Sequence, residues 1–328
     1  MTLTFGAPGP AFTPEPAPTM VNDTPGWYRG DLHLHTVHSD GSYTPEEIVA
    51  GADAAGLDYF VSTEHNTPTA NSIWGRHARP DLLIVGGEEA TTRGGHYNAV
   101  GLDPGHWIDW RYRPEDNKLP RFLNEIHGDR GIAVLNHPFC PFKGCDWRFP
   151  YEVMDGIEVW NGPWDPSDEA AVAKWDELLR AETFLPAVGA SDAHRSPNVI
   201  GLPQTVVRAQ GLNQGKIIKG VAGGHSYIVE SSGQTLQLTA QSGSKRAGIG
   251  GRLVGGGSVV VRLRVQGAPG TVAALHTGDG LTAVEPIETN DATVTWTTTA
   301  AATRFVRAEV RSPDSTMVGL TNPIFLVP

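Results

Sequence analysis

"GDLHLHTVHSDG", Gly30 to Gly41, sets three histidines and two aspartates into twelve residues. It reads as the end of a strand. Alternate residues of an extended chain share a side, so His33 and His35 point the same way and can grip one ion, while Leu32 and Leu34 face inward. One His-x-His pair is weak evidence. The fold is decided by the return of the same chemistry at the ends of other strand-like runs: His65 closes "LDYFVSTEH" (57–65), Glu88 and Glu89 lie near the close of "DLLIVGGEEAT" (81–91), His137 ends "GIAVLNHP" (131–138), and Asp192 and His194 end "LPAVGASDAH" (185–194).

These runs, with "YRGDLHLHT" (28–36), "HYNAVGL" (96–102) and "DGIEVWN" (155–161), alternate with helix-like segments, the pattern of β/α units. Thr44, Pro45 and Glu47 predict a helix start, with the cap, proline and acidic residue each in its preferred place, and Gly56 predicts its end. Leu119, Phe122, Leu123 and Ile126, and likewise Trp175, Leu178 and Leu179, fall at helical spacing. In such folds the C-terminal ends of parallel strands converge on one face, so donors far apart in sequence meet in space. A mixed histidine and carboxylate set suits Zn, Mn or Fe, and more than four donors implies more than one ion. His38, His77, His106, His127, His225 and His276 stand outside this pattern and read as surface or hydrogen-bonded histidines.

The chain has 328 residues, 39% hydrophobic and 19% charged, enough for a barrel-sized domain with an appendage. "GAPGPAFTPEPAPT" (6–19) is too rich in proline for helix or strand, so residues 1–22 read as an extended tail or a strap over the domain. After about residue 228 the pattern changes. Val259, Val261, Leu263 and Val265 alternate with Ser258, Arg262 and Arg264, and Val306, Ala308 and Val310 alternate with Arg307, Glu309 and Arg311, predicting a β-sandwich over 229–328 with the charged residues outward. The net charge of −11 argues against a nucleic-acid partner. The excess acid lies before residue 229, where 29 acidic residues face 17 basic ones.

No run reaches the length of a membrane span, and the N-terminus lacks a basic stretch followed by an apolar one; the expectation is a cytoplasmic protein without a membrane partner. Cys140 and Cys145 could close a small loop, although two unlinked cysteines in a reducing compartment are the preferred reading.

"DLHLHTVHSDGSYTPEEIV", "STEHNT", "GGEEATT", "NHP" and "SDAH" together resemble the polymerase and histidinol phosphatase (PHP) superfamily. "GEEATTRGGHYNAVG", "IEVWNGPW" and "TNPIFLV" are similar, more narrowly, to its carbaryl hydrolase (CehA/McbA) branch. The resemblance covers residues 27–228 closely and the β-rich remainder loosely. It departs from the superfamily pattern where Glu64, rather than aspartate, precedes His65.

The resemblance implies a distorted (β/α)7 barrel over 23–228 with two or three divalent metal ions at its mouth. His33, His35, Glu89 and Asp192 would hold one ion, Glu89 would bridge to a second held by His96 and His137, and Asp40, His65 and His194 would hold a third. A water between two ions loses its proton near neutral pH and becomes a nucleophile, with Asp192 and His194 as proton-handling residues. Arg93, Lys143 and Arg195 lie in loops able to hold an anionic group, and Trp160, Asn161 and Trp164 are candidates for the pocket wall. The expected reaction is hydrolysis of a small-molecule phosphoester. A carboxyl or carbamate ester is the second reading, and a non-catalytic metal- or ligand-binding module the third.

Overall fold

The computed structural model describes residues 11–328. The strand-like runs form β1 (Gly26–Asp31), β2 (Tyr59–Ser62), β3 (Leu83–Thr92), β4 (Gly95–Val100), β5 (Ile132–Leu135), β6 (Gly156–Asn161) and β7 (Ala187–Ala190). Helix α1 (Pro45–Ala54) starts as predicted: Thr44 accepts from the Glu47 amide at 3.2 Å and Glu47 accepts from the Thr44 amide at 2.8 Å. Gly56 follows with φ 68°. Helices α2 (Leu119–Gly128) and α3 (Pro166–Arg180) bury the residues that fell at helical spacing, apart from the partly buried Leu178, and α4 (Gln214–Ala222) completes the four α-helices of the described residues.

Strands β1, β2 and β3 are parallel, β4 returns as a hairpin, and β5, β6 and β7 resume the direction of β3. Alternate residues of the sheet, among them Tyr59, Val61, Leu83, Val85, Ile132, Val134, Val188 and Val207, meet in one buried cluster. Beyond the last residues of β1 and β7 the chain ends pair again: the Asp192 amide donates to His33 O at 2.8 Å and the His35 amide to Ala193 O at 2.9 Å. The first and seventh strands thus deliver His33, His35 and Asp192 to one place.

The rest of the chain adds β8 (Gln204–Ala209), β9 (Ser226–Val229), β10 (Thr235–Ser242), β11 (Lys245–Gly248), β12 (Arg252–Val254), β13 (Ser258–Gln266), β14 (Thr271–Thr277), β15 (Gly280–Ile287), β16 (Asp291–Thr299), β17 (Phe305–Arg311), β18 (Met317–Thr321) and β19 (Ile324–Val327). Strands β11-β10-β13-β16 form a four-stranded sheet, which shares an apolar core with β14, β17, β18 and β19. Those latter strands continue the main sheet, because β18 pairs with β9, β9 with β8, and β8 with β1. The architecture is mixed α/β with strands dominant, in one 15-stranded and one 4-stranded sheet among the described residues.

Two expectations are corrected. Arg307 and Glu309 do not face water: they are 1% and 3% exposed, because α3 covers β17. Arg307 Nη2 donates to Asp176 at 2.9 Å and its Nη1 to Glu309 at 2.6 Å, while Arg311 bonds both Glu309 and Glu169. The cysteines are bonded to one another, their Cα atoms 5.5 Å apart in a tight loop. Of the proline-rich tail, residues 1–10 lie outside the described residues. Residues 11–22 run as a strap, with Glu15 bonded to Ser72 and Gly75 and Val21 bonded to Leu212. No helix among the described residues is long and apolar enough to cross a membrane.

Candidate metal centre

The site is built around Glu89, whose strand neighbour Glu88 must point the other way. Glu88 Oε2 accepts from the Ile108 amide at 3.1 Å, and burial pushes its carboxyl up to about 8. Glu89, fully buried, turns into the cavity. Its Oε2 lies 2.7 Å from His65 Nδ1, 3.4 Å from His33 Nε2 and 3.5 Å from His35 Nε2, and its Oε1 lies 3.1 Å from His96 Nδ1 and 3.3 Å from His137 Nε2. One carboxylate therefore stands within 3.5 Å of five imidazoles.

Asp192 closes the other side, with Oδ1 2.9 Å from His35 Nε2 and 3.2 Å from His33 Nε2. His194 turns Nδ1 onto Asp192 O at 2.8 Å, which leaves Nε2 facing Asp40 at 3.3 Å. Ligand atoms of His35, Asp40, His65 and His194 lie within 4.8 Å of one another, as do those of His33, His35 and Glu89. His137 and Asp192 have positive φ, 24° and 48°, a conformation that costs energy and concentrates at functional sites.

These residues fit divalent cations. His33 Nε2 is fully buried without a hydrogen bond, 3.4 Å from Glu89 Oε2 and 3.2 Å from Asp192 Oδ1, an arrangement expensive to bury unless something charged is shared among them. Burial opposes charge on every member, yet the opposite charges outweigh it for most. Asp192, Glu89 and Glu158 hold His33 well above its ordinary value, and Glu89, Asp40 and Asp192 hold His65 at about 9. The histidines in turn hold Glu89 and Asp192 well below the usual carboxylate range. For His35 burial prevails and lowers it. A metal bound here would displace the histidine protons, so its affinity would fall as pH falls.

Three supporting residues escaped the sequence reading. Glu158 Oε1 bonds His33 Nδ1 at 3.1 Å while its Oε2 accepts from the His137 amide and the Asn161 side chain, both at 2.9 Å. Asn136 bridges Glu89 Oε1 and Asn98 Oδ1 at 3.0 Å each. Glu64, which stands before His65 where the PHP motif commonly carries aspartate, is buried and accepts from the Thr36 amide and from the Thr36 and Ser39 hydroxyls, fixing the loop that carries Asp40. The available signal was a carboxylate or amide inside an otherwise apolar strand run, which is tolerated only with partners.

A cavity of about 560 Å³ opens over these residues, lined by His65, His96, His137, Asn161, Asp192, His194, Phe142 and Lys143 among others. Trp160 is not part of its wall. A register shift between Glu158 and Trp160 turns the indole into the core, 1% exposed, and brings Asn161 to the cavity. Trp164 packs edge-on against Trp160 and lines a separate cavity beside Glu169 and Asp314. Arg195 is exposed and not among the cavity's lining residues. Arg93 lines an adjoining cavity of about 660 Å³ with Arg113, Arg148 and Lys143, and Lys143 faces both. Outside the site, His106 and His127 bond Asp129 and Asp155, and His225 bonds Ile249 O.

No family model and no curated protein matches the chain. Among solved structures it is similar to a two-domain protein from Bacteroides vulgatus containing a predicted PHP-like metal-dependent phosphoesterase, at TM-score 0.51 and 18% identity over 96% of this chain and 100% of that one. The two share a fold along their whole lengths. An amidohydrolase from Chromobacterium violaceum, bound to sulfate and without metal, is similar at TM-score 0.38 and 18% identity over 52% of this chain and 89% of that one, too loosely to argue from.

Proposed function

We propose that the protein is a metal-dependent hydrolase of the PHP superfamily, of its carbaryl hydrolase branch, acting on a small-molecule phosphoester from the mouth of a distorted barrel. The observation that carries this reading is Glu89 between five histidines, with Asp192 opposite. The whole-length similarity to the Bacteroides vulgatus protein supports the fold, and the metal-dependent phosphoesterase chemistry predicted for that protein agrees with this reading.

His33, His35, Glu89 and Asp192 would hold one ion, Glu89 with His96 and His137 a second, and Asp40, His65 and His194 a third; Zn, Mn and Fe all suit this donor set. Bound divalent ions lower the pKa of water and polarise an ester oxygen. The chain's own residues do the rest. His194, its Nδ1 fixed on Asp192 O, has Nε2 alone for the cavity: it would ligate a third ion where one is bound, and with two ions bound it can carry a proton to the leaving group. Asn161 donates to Asp192 Oδ2 at 3.3 Å and to Glu158, keeping both carboxylates oriented. Lys143, with Arg93 behind it, supplies positive charge where a phosphoester is negative, in a protein that is otherwise acidic.

Phe142, 76% exposed at the cavity rim, favours a second reading, a carboxyl or carbamate ester with an apolar group. Rates on bis(p-nitrophenyl) phosphate against p-nitrophenyl acetate and a 1-naphthyl carbamate separate the two. Turnover of the phosphodiester supports the first reading, and turnover of the carbon esters alone overturns it.

A further inference from the structure

The cavity of about 660 Å³ beside the metal mouth is lined by four cations, Arg93, Arg113, Lys143 and Arg148, and by one carboxylate, Glu115. Before residue 229 the chain carries 29 acidic residues and 17 basic ones, so four of the 17 gather in a region where acid is in excess. Their charge is only partly met by protein. Among the described residues neither Arg93 nor Lys143 forms an ion pair, the pair of Arg113 with Glu115 is loose at 3.8 Å, and Arg148 alone is held closely, by Asp146 at 2.9 Å.

The backbone builds this grouping. Thr92 Oγ1 accepts from the Gly94 amide at 3.0 Å and donates to Gly95 O at 2.7 Å, which pins the turn between β3 and β4 that carries Arg93. The Arg148 amide donates to Gly94 O at 2.8 Å. A Cβ on Gly94 would stand 2.6 Å from Pro114 Cγ and 2.8 Å from Phe149 Cε2, so a glycine lets the three segments that carry Arg93, Arg113 and Arg148 meet. None of the candidate metal ligands lines this cavity, whereas Lys143 faces both it and the metal centre. An anion held by the arginines is therefore not the group that reacts at the metals, and a molecule that fills both places has to carry two.

We propose that this cavity is a second anion subsite, in which Arg93, Arg113 and Arg148 hold a phosphate or carboxylate that the substrate carries in addition to the ester cleaved at the metal centre. The inference rests on the hydrolase reading above and narrows its substrate class to small phosphoesters with a second anionic group. Guanidinium groups suit either anion, because their paired N–H donors meet two oxygens at once. Lys143, between the two places, contributes to both. A long polyanion such as nucleic acid is not the occupant, since it needs basic surface well beyond one cavity and the chain's net charge is −11.

The test titrates inorganic pyrophosphate into the whole chain by calorimetry, with and without chelator, for wild type and for the double variant Arg113→Ala, Arg148→Ala. These side chains are 54% and 60% exposed, so their removal leaves the core intact. Kd is expected to rise at least about tenfold in the variant under both conditions, the worth of charge-assisted contacts to two guanidinium groups. Citrate titrated in the same way separates carboxylate from phosphate, since the anion that the arginines favour loses more affinity in the variant. In turnover, a 3′-phosphate added to thymidine 5′-(p-nitrophenyl phosphate) is expected to lower KM about tenfold in wild type and to give no advantage in the variant. Affinities for pyrophosphate and citrate that the substitutions leave unchanged overturn this inference and leave the hydrolase reading standing. Arginine-dependent binding without turnover of any diester leaves the anion site standing and overturns the hydrolase reading.

Discussion

Glu158 Oε1 sits 3.1 Å from His33 Nδ1, on the opposite nitrogen from the one that faces Glu89 and Asp192. The carboxylate fixes the tautomer that leaves Nε2 free as a ligand and makes it more basic. Glu158→Gln is expected to weaken metal binding about 10- to 100-fold while the protein stays folded, the range typical for loss of such a partner. Competition with a chelator measures it. An unchanged affinity would reduce Glu158 to a packing residue.

The neighbouring glutamates make opposite predictions. Glu88 is held protonated by burial, its carboxyl at about 8 against an ordinary 4.5. Its folded form binds more protons than its unfolded form between those values, so stability falls as pH rises through that window, by up to about 1.4 kcal/mol per pH unit. Glu88→Gln removes the titration. The variant's Tm is expected to gain on that of wild type as pH rises from 5 to 8 and to gain little more by pH 9, with metal content unaltered. A variant that loses metal, or that gains nothing by pH 8, would contradict the assignment of Glu89 alone to the centre.

Much of this was legible because strands and metal sites both write short-range signals. The alternation of β1 to β7, the cap at Thr44 and the donors at strand ends need only neighbours two to four residues apart. Trp160 was not legible, since a local register shift undoes the alternation that would have aimed it at the cavity. Nor were Arg307 and Glu309, which look like an outward face until α3 is laid over them. The pairing of β18 with β9, which runs the main sheet into the C-terminal strands, depends on contacts some ninety residues apart.

That covering of β17 by α3 has an energetic signature. Arg307 is buried with its guanidinium over Trp175 and on Asp176, so Asp176→Ala leaves a buried charge short of its partner. Removal of one side of a buried pair typically costs about 3–5 kcal/mol. Urea unfolding is expected to show a loss of at least about 3 kcal/mol; a loss below about 1 kcal/mol would mean that water reaches Arg307.

Lys143 faces the cavity and Arg93 the one beside it. Lys143→Ala is expected to raise KM for an anionic phosphodiester by about three- to tenfold, the worth of one exposed charge-assisted contact, and to leave KM for a neutral ester unchanged. Equal effects on both substrates would remove the anion-holding role. Arg93→Ala is expected to act in the same sense and more weakly.

The central claim is that residues from strands far apart in the chain assemble one metal centre. Elemental analysis of the purified protein by plasma mass spectrometry, for wild type beside His33→Ala and Asp192→Ala, tests it most directly. The account predicts two or three equivalents of Zn, Mn or Fe in wild type, with at least one equivalent lost in each variant. Trace metal in all three, indifferent to either substitution, would contradict it.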